Sequence, residues 1–175
     1  MKESGAMDIE TEVRDYVARR EICRALMAYM RGQDRLDPDL QLTAFHEGAD
    51  VDCGLLRGNG TEFTNFAQTF LAGMEGSQHL IGQVDLDVQG DHASGEVYFL
   101  GWHRMIEDGE PFDLIMAGRY IDEYACRAGR WAIVRRREII DWGRKDKASD
   151  AFMADMPLLH LAGRRGADFS QNRAW

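Results

Sequence analysis

Tyr29–Asp37 (YMRGQDRLD) is the stretch on which the predicted fold depends, because it ends the first long amphipathic segment of the chain. Upstream, over residues 9–30, apolar side chains recur at steps of three and four, the spacing of one buried stripe on an α-helix. Gly32 is a plausible terminator of that helix. A helix that ends at a pocket in this way can deliver Tyr29 and Asp34 into the pocket together.

After Gly76 the sequence changes from helix-like to strand-like patterns. Asp37 is a plausible N-cap of a short second helix that begins at Pro38, and Thr61 of a third helix that runs to about Met74. Residues 49–56 suit a short strand, and residues 57–60 a turn. Four later segments are rich in β-branched and aromatic residues: Gln78–Val88, Ala93–Ile106, Phe112–Cys126 and Trp131–Trp142. The short links between them predict an antiparallel meander, and therefore an α+β fold with a curved, mainly antiparallel sheet covered by the N-terminal helices.

One domain over residues 1–145 and a C-terminal tail over residues 146–175 are expected from this order. Several strands are apolar on both faces, and a monomer covers only one of them, so we expect the second face to lie in a homo-oligomer interface. In the tail, the apolar residues between Phe152 and Leu161 could dock as a flap or reach a neighbouring subunit. Gly163–Trp175 is expected to be loose.

Composition excludes several classes of partner. The formal net charge is −9, which argues against a nucleic-acid backbone or an anionic membrane surface. Three cysteines, odd in number and far apart, indicate neither a disulfide framework nor a zinc site, and we expect no metal and no cofactor. Residues 1–8 lack the apolar run of a signal peptide, and no segment is apolar for long enough to span a bilayer. A cytoplasmic protein is therefore expected.

Three motifs carry a resemblance to a known family. They are the helix end Tyr29–Asp37, the pair Gln78-His79, and the strand-turn-strand text Gly118–Trp131 (GRYIDEYACRAGRW). Together they resemble the SnoaL-like branch of the nuclear transport factor 2-like superfamily. The resemblance runs from about Arg14 to Trp142.

The resemblance implies a cone-shaped, cystatin-like α+β barrel whose pocket carries an Asp–His pair. Members with a similar pattern include scytalone dehydratase, bile-acid 7α-dehydratase and hexachlorocyclohexane dehydrochlorinase. These enzymes eliminate water or HCl without a cofactor. The resemblance to the dehydratases also implies a trimer. Asp34 matches the family's helix-end aspartate, His79 the histidine that opens the sheet, and Arg136 a pocket arginine. Tyr29 matches the tyrosine of the bile-acid enzyme, where the dehydrochlorinase has lysine. This departure favours a steroid-like or aromatic substrate over a chlorinated hydrocarbon.

The chemistry expected of these residues is that of a general base. Histidine takes and returns protons near neutral pH, and a carboxylate bonded to its other nitrogen fixes the tautomer. With Asp34 in that role, His79 can remove a proton next to an activated carbon, while Tyr29 and Arg136 are candidate donors to the leaving hydroxyl or an enolate oxygen. Three further side chains are expected to contact the substrate: Trp102, His103 and Met116.

Alternatives to a lyase or isomerase stay open on the sequence. His79 is also explained as a hydrogen-bonded histidine at the start of a strand, and strict alternation sets it with Gln83 and Asp85, opposite Leu80 and Val84. A bulge, or a pocket on the more polar face, has to be assumed. The other functions compatible with the resemblance are a non-catalytic ligand-binding or dioxygenase small-subunit-like assembly module and a polyketide cyclase that performs aldol closure.

Overall fold

A computed structural model describes residues 8–173 and 175. The lack of a signal peptide, inferred over residues 1–8, therefore lies almost entirely outside the described residues. The helices are α1 (Ile9–Arg35), α2 (Pro38–Leu42), α3 (Gly60–Ala72) and α4 (Phe169–Asn172), with a 3₁₀ turn at Ala151–Asp155. The strands are β1 (Phe45–Asp52), β2 (Arg57–Asn59), β3 (Gly76–Gln89), β4 (His92–Glu107), β5 (Glu110–Arg127) and β6 (Arg130–Lys147).

The sheet has six strands in the order β2-β1-β6-β5-β4-β3. The antiparallel meander predicted from the short links is confirmed as β3 to β6. β1 joins it in parallel beside β6, and β2 pairs antiparallel with β1 where the sequence predicted only a turn. The α+β class with N-terminal helices on a curved sheet is thus confirmed.

The first helix ends later than predicted. α1 continues past Gly32 to Arg35, and Leu36 closes it in the left-handed conformation at φ 52°. Gly32 is needed for a different reason: a Cβ there would lie 2.5 Å from the backbone nitrogen of Gln41 in α2. Asp37 caps α2 as predicted, accepting a hydrogen bond from the Leu40 N–H at 3.0 Å. The longer α1 carries Asp34 on its last turn rather than in a loop.

The N-cap of α3 was predicted at Thr61 and lies two residues earlier, at Asn59. The Asn59 side chain accepts from the backbone of Thr61 and Glu62, each at 3.0 Å. The Asn59 N–H in turn donates to the Glu62 carboxylate at 2.8 Å, which completes a capping box. The cap sets the start of a helix whose apolar face covers the concave side of the sheet.

A β-bulge in β3 resolves the alternation problem at His79. Ile81 pairs with Phe99 and Val84 with Val97, so Gly82 and Gln83 together oppose one residue of β4. Before the bulge the odd-numbered residues face the interior, and after it the even-numbered residues do. His79 therefore shares the inner face with Val84, and no polar pocket is required.

The core lies between the concave face of the sheet and the helices α1 and α3. Its fully covered side chains include Ile22 and Leu26 of α1 and Val97 and Ile133 of the sheet. The buried stripe of α1 begins only at Ala18. The apolar residues predicted to extend that stripe toward the N-terminus are more than half exposed: Ile9, Val13 and Tyr16. This part of the stripe was wrong because the helix extends beyond the sheet it was expected to cover.

The half of the C-terminal tail that was expected to be loose is docked on the domain. Gly163–Asp168 is held against the end of α1: Arg35 donates to the Asp168 carboxylate and to the Gly163 carbonyl, both at 2.8 Å, and Arg165 N–H donates to the Arg35 carbonyl. The apolar half between Phe152 and Leu161 does not dock as a flap on this chain, since Leu158 is 91% exposed, and its contact with a neighbouring subunit stays a prediction. Among the described residues, none of the helices is both long and apolar enough to cross a membrane.

Candidate active site

Asp34 and His79 lie in direct contact at the junction of α1 and β3. The Asp34 carboxylate accepts two hydrogen bonds from His79, one from Nδ1 at 2.7 Å and one from the backbone N–H at 2.9 Å. The two side chains are only 10% and 7% exposed. Because a carboxylate can only accept, Nδ1 carries the proton and Nε2 of the neutral ring is left with a free lone pair. The arrangement is that of an oriented general base.

His79 borders a cavity of about 320 Å³ between α3 and the sheet. α3 forms one wall with apolar side chains: Phe63, Phe66, Ala67, Phe70 and Leu71. The sheet forms the other, with Phe99, His103, Leu114, Met116, Tyr120, Glu138 and Ile140. Tyr29 and Gln33 of α1 and residues 53–55 complete the lining. An apolar enclosure with a few convergent polar groups is the usual form of a small-molecule site.

His103 is the second imidazole of the cavity. Its ring centroid lies 5.1 Å from that of His79, edge to face, and Nδ1 donates to the Leu114 carbonyl at 3.3 Å. Burial, together with the neighbouring His79, lowers the pKa of His103 to about 4. Gly101 lies opposite His79 in the ladder, and its lack of a side chain leaves room for both rings. His103 is thus a neutral lining group at physiological pH.

Tyr29 lines the cavity, but Arg136 does not. The Tyr29 ring packs against Phe45, Phe63 and Tyr120, and burial raises the pKa of its phenol. The Arg136 guanidinium is held behind it, with its centre 4.4 Å from the Tyr29 ring centroid and 3.9 Å from that of Tyr120. Nε and Nη2 donate to Asp122 at 2.7 and 2.6 Å. The expected role of Arg136 as a donor to substrate is corrected to that of a buried support for the two tyrosines.

The remaining expected substrate contacts divide between the two faces of the sheet. Met116 and His103 line the cavity. Trp102 does not: alternation along β4 turns it to the other face, where the Arg104 guanidinium lies 5.3 Å from its ring centroid. Its predicted contact with substrate is therefore corrected. Among the described residues, no three His, Cys, Asp or Glu side chains come together as metal ligands would.

Glu138 is the acidic residue of the cavity lining, and the sequence analysis missed it. It lies two positions from Arg136 on β6 and pairs in register with Tyr120, which also lines the cavity. Alternation along the strand could have found it, since a residue two positions from an inward-facing one shares its face. The arginines that precede it on β6 have other acidic partners. In the structure those partners are Glu123 for Arg135 and Asp122 for Arg136.

Comparison with known proteins shows the family. A model of the SnoaL-like domain matches residues 14–137, and the chain belongs to this family. A search of curated proteins gave no significant match. The membership agrees with the resemblance of the three motifs and with the fold.

Similar solved structures have the same fold. Hexachlorocyclohexane dehydrochlorinase (LinA) type 2 has a TM-score of 0.71 and 18% identity, over 79% of this chain and 95% of that chain. A candidate scytalone dehydratase from Novosphingobium aromaticivorans has a TM-score of 0.67 and 20% identity, over 77% of this chain and 91% of that chain. A protein of unknown function with a cystatin-like fold from Nostoc punctiforme has a TM-score of 0.55 and 15% identity, over 70% of this chain and 90% of that chain.

Proposed function

We propose that this protein is a cofactor-independent lyase of the dehydratase type, which removes water from a small cyclic substrate. The observation that carries the proposal is the Asp34–His79 pair, which presents an unprotonated Nε2 beside an apolar cavity. A buried carboxylate is costly unless it is hydrogen-bonded, and here it is used to orient one imidazole. The names of the dehydratase and dehydrochlorinase neighbours support elimination chemistry.

His79 acts as the general base in the proposed reaction. Its Nε2 removes a proton from a carbon next to a carbonyl, and the resulting imidazolium is stabilised by the Asp34 carboxylate. The C-terminal end of α1 adds to this, since the negative end of the helix dipole favours a cation beside Asp34. Tyr29 keeps its phenolic proton because burial raises its pKa, and it can donate a hydrogen bond to the enolate oxygen.

The size of the cavity favours a substrate with one or two rings. A volume of about 320 Å³ is near the lower end of the ~300–1,000 Å³ typical of small-ligand sites. Aromatic side chains on α3 provide flat apolar contact for such a ring. An aromatic bicyclic β-hydroxy ketone satisfies these requirements, since it combines an acidic C–H, a leaving hydroxyl and little polar surface.

The proposal is tested with 3-hydroxy-1-tetralone, which gives 1-naphthol when it loses water. We expect the wild-type protein to form 1-naphthol, and His79→Ala to reduce kcat by about 10²–10⁴-fold, the usual contribution of a general base. Asp34→Asn should also reduce kcat, because an amide at this position does not fix the tautomer that leaves Nε2 free. His92→Ala is the matched control, since His92 is exposed at the start of β4.

Three results would contradict the proposal. Equal rates in the wild type and His79→Ala would exclude the dyad as the base. Tight binding of the ketone without release of 1-naphthol would favour the ligand-binding module. Carbon–carbon bond formation in a diketone by the same residues would indicate the aldol cyclase.

A further inference from the structure

Glu138 faces the same cavity as His79 from a different strand of the sheet. It lies on β6, three strands away from β3, and pairs with Tyr120 on β5. Both Glu138 and His79 line the cavity, and Glu138 is the acidic side chain in that lining. A substrate held between α3 and the sheet would therefore meet both an imidazole and a carboxyl group.

The carboxyl group of Glu138 is not committed to a structural partner among the described residues. The nearest cation on its own strand, Arg136, gives Nε and Nη2 to Asp122. No hydrogen bond joins a side chain or backbone group of residues 8–173 and 175 to the Glu138 carboxyl. The groups that face it are Arg136 on β6, His79 on β3, Tyr120 on β5 and Tyr29 on α1.

The surroundings of Glu138 favour its protonated form. Burial raises the pKa of its carboxyl, while the positive charge of Arg136 and the neighbouring His79 act in the opposite direction. Asp34 differs from it because it accepts two hydrogen bonds from His79. Two carboxyl groups in different surroundings are the usual requirement for acid and base in one site.

Loss of water requires an acid that the dyad does not supply. While His79 holds the proton taken from carbon, the departing oxygen needs a proton from another group. His103 is a poor candidate, because its Nδ1–H is given to the Leu114 carbonyl and burial keeps the ring neutral. Tyr29 is a weaker acid than a carboxylic acid, and burial weakens it further.

We propose that Glu138 is a catalytic residue of the proposed dehydration and donates its carboxyl proton to the leaving hydroxyl of a cyclic β-hydroxy ketone. This rests on the function proposed for Asp34 and His79. The α C–H bond breaks as His79 takes the proton, and its electron pair passes into the enolate of the ketone; this pair forms the α,β C=C bond only as the C–O bond breaks. The C–O bond then breaks as the hydroxyl takes the proton of Glu138 and leaves as water. A proton returned from the His79 imidazolium to the Glu138 carboxylate, through the released water, restores both groups.

Glu138→Gln separates the acid from the base, because an amide keeps the shape of the side chain but cannot transfer the proton. With 3-hydroxy-1-tetralone we expect kcat to fall by about 10²–10⁴-fold. With 1-tetralone, which has the same acidic carbon and no leaving hydroxyl, α-proton exchange in D₂O followed by NMR should persist in Glu138→Gln and be lost in His79→Ala. Glu123→Gln is the matched control, since Glu123 is exposed and pairs with Arg135.

The pH profile gives a second readout that a purely structural role would not produce. The acid must be protonated, so wild-type kcat should fall on the alkaline side as Glu138 ionises, and this limb should be absent from Glu138→Gln. Glu138→Asp should recover part of the rate. Dehydration at the wild-type rate by Glu138→Gln, with both reactions lost in His79→Ala, would overturn this inference and leave the proposed function standing. Absence of both reactions in the wild type would overturn the two together.

Discussion

At the scale of single residues, Gly101 determines whether the two imidazoles fit side by side. A Cβ at this position would lie 3.0 Å from Cδ2 of His79 and 3.1 Å from Cε1 of His103. Both contacts are short for carbon atoms, and His79 cannot retreat freely because Asp34 holds it at two points. The glycine is therefore part of the positioning of the proposed base.

We predict that Gly101→Ala lowers the rate of 1-naphthol formation by roughly 10- to 100-fold while the protein stays folded, because small displacements of a reacting group are costly. Steady-state kinetics and thermal melting measure the two effects. Gly73→Ala is the control, since a Cβ there would make only an ordinary contact of 3.5 Å with the Phe70 carbonyl. Wild-type kinetics in Gly101→Ala would show that the ring positions tolerate the methyl group.

His103 makes the stability of the fold depend on pH. Its pKa is about 4 in the folded protein and about 6.5 in an unfolded chain, so between these values the unfolded state binds the extra proton. The stabilisation from neutral His103 is full above pH 6.5 and is lost as the pH falls toward 4. We expect urea denaturation to show the wild type losing about 1 kcal/mol more per pH unit than His103→Gln between pH 6 and pH 5. Parallel curves for the two proteins would contradict this.

The candidate site could be predicted from the sequence only in part. The contact between Asp34 and His79 followed from the two motifs and is present in the structure, although its catalytic role stays a prediction. Arg136 was expected in the cavity because the sequence does not reveal which acid pairs with it. Asp122 lies 14 positions upstream and opposite Arg136 in the β5–β6 register, a pairing that only the ladder defines.

At the scale of secondary-structure elements, the tail stabilises the junction behind the dyad through Arg164. Its Nη1 donates to the Leu71 and Met74 carbonyls at the end of α3, at 3.0 and 2.8 Å, and Nη2 donates to the Ser77 hydroxyl at 2.8 Å. Ser77 lies two residues before His79 on β3. Arg164 thus joins the end of one cavity wall to the strand that carries the proposed base.

We predict that Arg164→Met lowers the free energy of unfolding by about 1–3 kcal/mol, because it leaves helix-end carbonyls without a charged donor. Chemical denaturation measures the change. Arg165→Met is the control, since the exposed Arg165 contacts α1 through its backbone N–H. Equal destabilisation by the two substitutions would indicate a general effect of the tail rather than the three bonds of Arg164.

Element boundaries show where sequence patterns were informative and where they failed. The four long strands were predicted to within a few residues because their alternation is supported by turns that favour glycine, such as Gly90 and Gly129, both at positive φ. β2 was missed because its three residues carry no apolar pattern, and only pairing with β1 makes them a strand. A bulge in β3 was one of two possibilities considered, but its position at Gly82-Gln83 was not predicted. The inward-facing residues are odd-numbered before it and even-numbered after it, and this change of phase alone does not show where the extra residue lies.

At the scale of the whole molecule, the convex face of the sheet remains apolar and uncovered in one chain. Tyr98, Leu100, Ile121, Ile139 and Trp142 are between 37% and 51% exposed on β4, β5 and β6. Large contiguous apolar patches are uncommon on monomers and usually mark an interface. Here these apolar side chains lie on the central strands of the sheet and not on an edge strand. The expectation of a homo-oligomer therefore rests on these exposed side chains, and the trimer rests on the resemblance to the dehydratases.

We predict that the wild-type protein sediments at about three times the 19.9 kDa of one chain. Ile139→Arg should give a folded monomer, because Ile139 sits beside Arg119 in the ladder and a second guanidinium would add charge that must be desolvated in an apolar interface. Leu158→Arg should leave the assembly intact, since Leu158 is 91% exposed in the tail. A monodisperse wild-type monomer at micromolar concentration would contradict the homo-oligomer, and an Ile139→Arg variant that still associates would place the interface elsewhere. The apolar convex face would then have to be covered in some other way. The concave face is not available as an interface, because it is already filled by α1, α3 and the cavity.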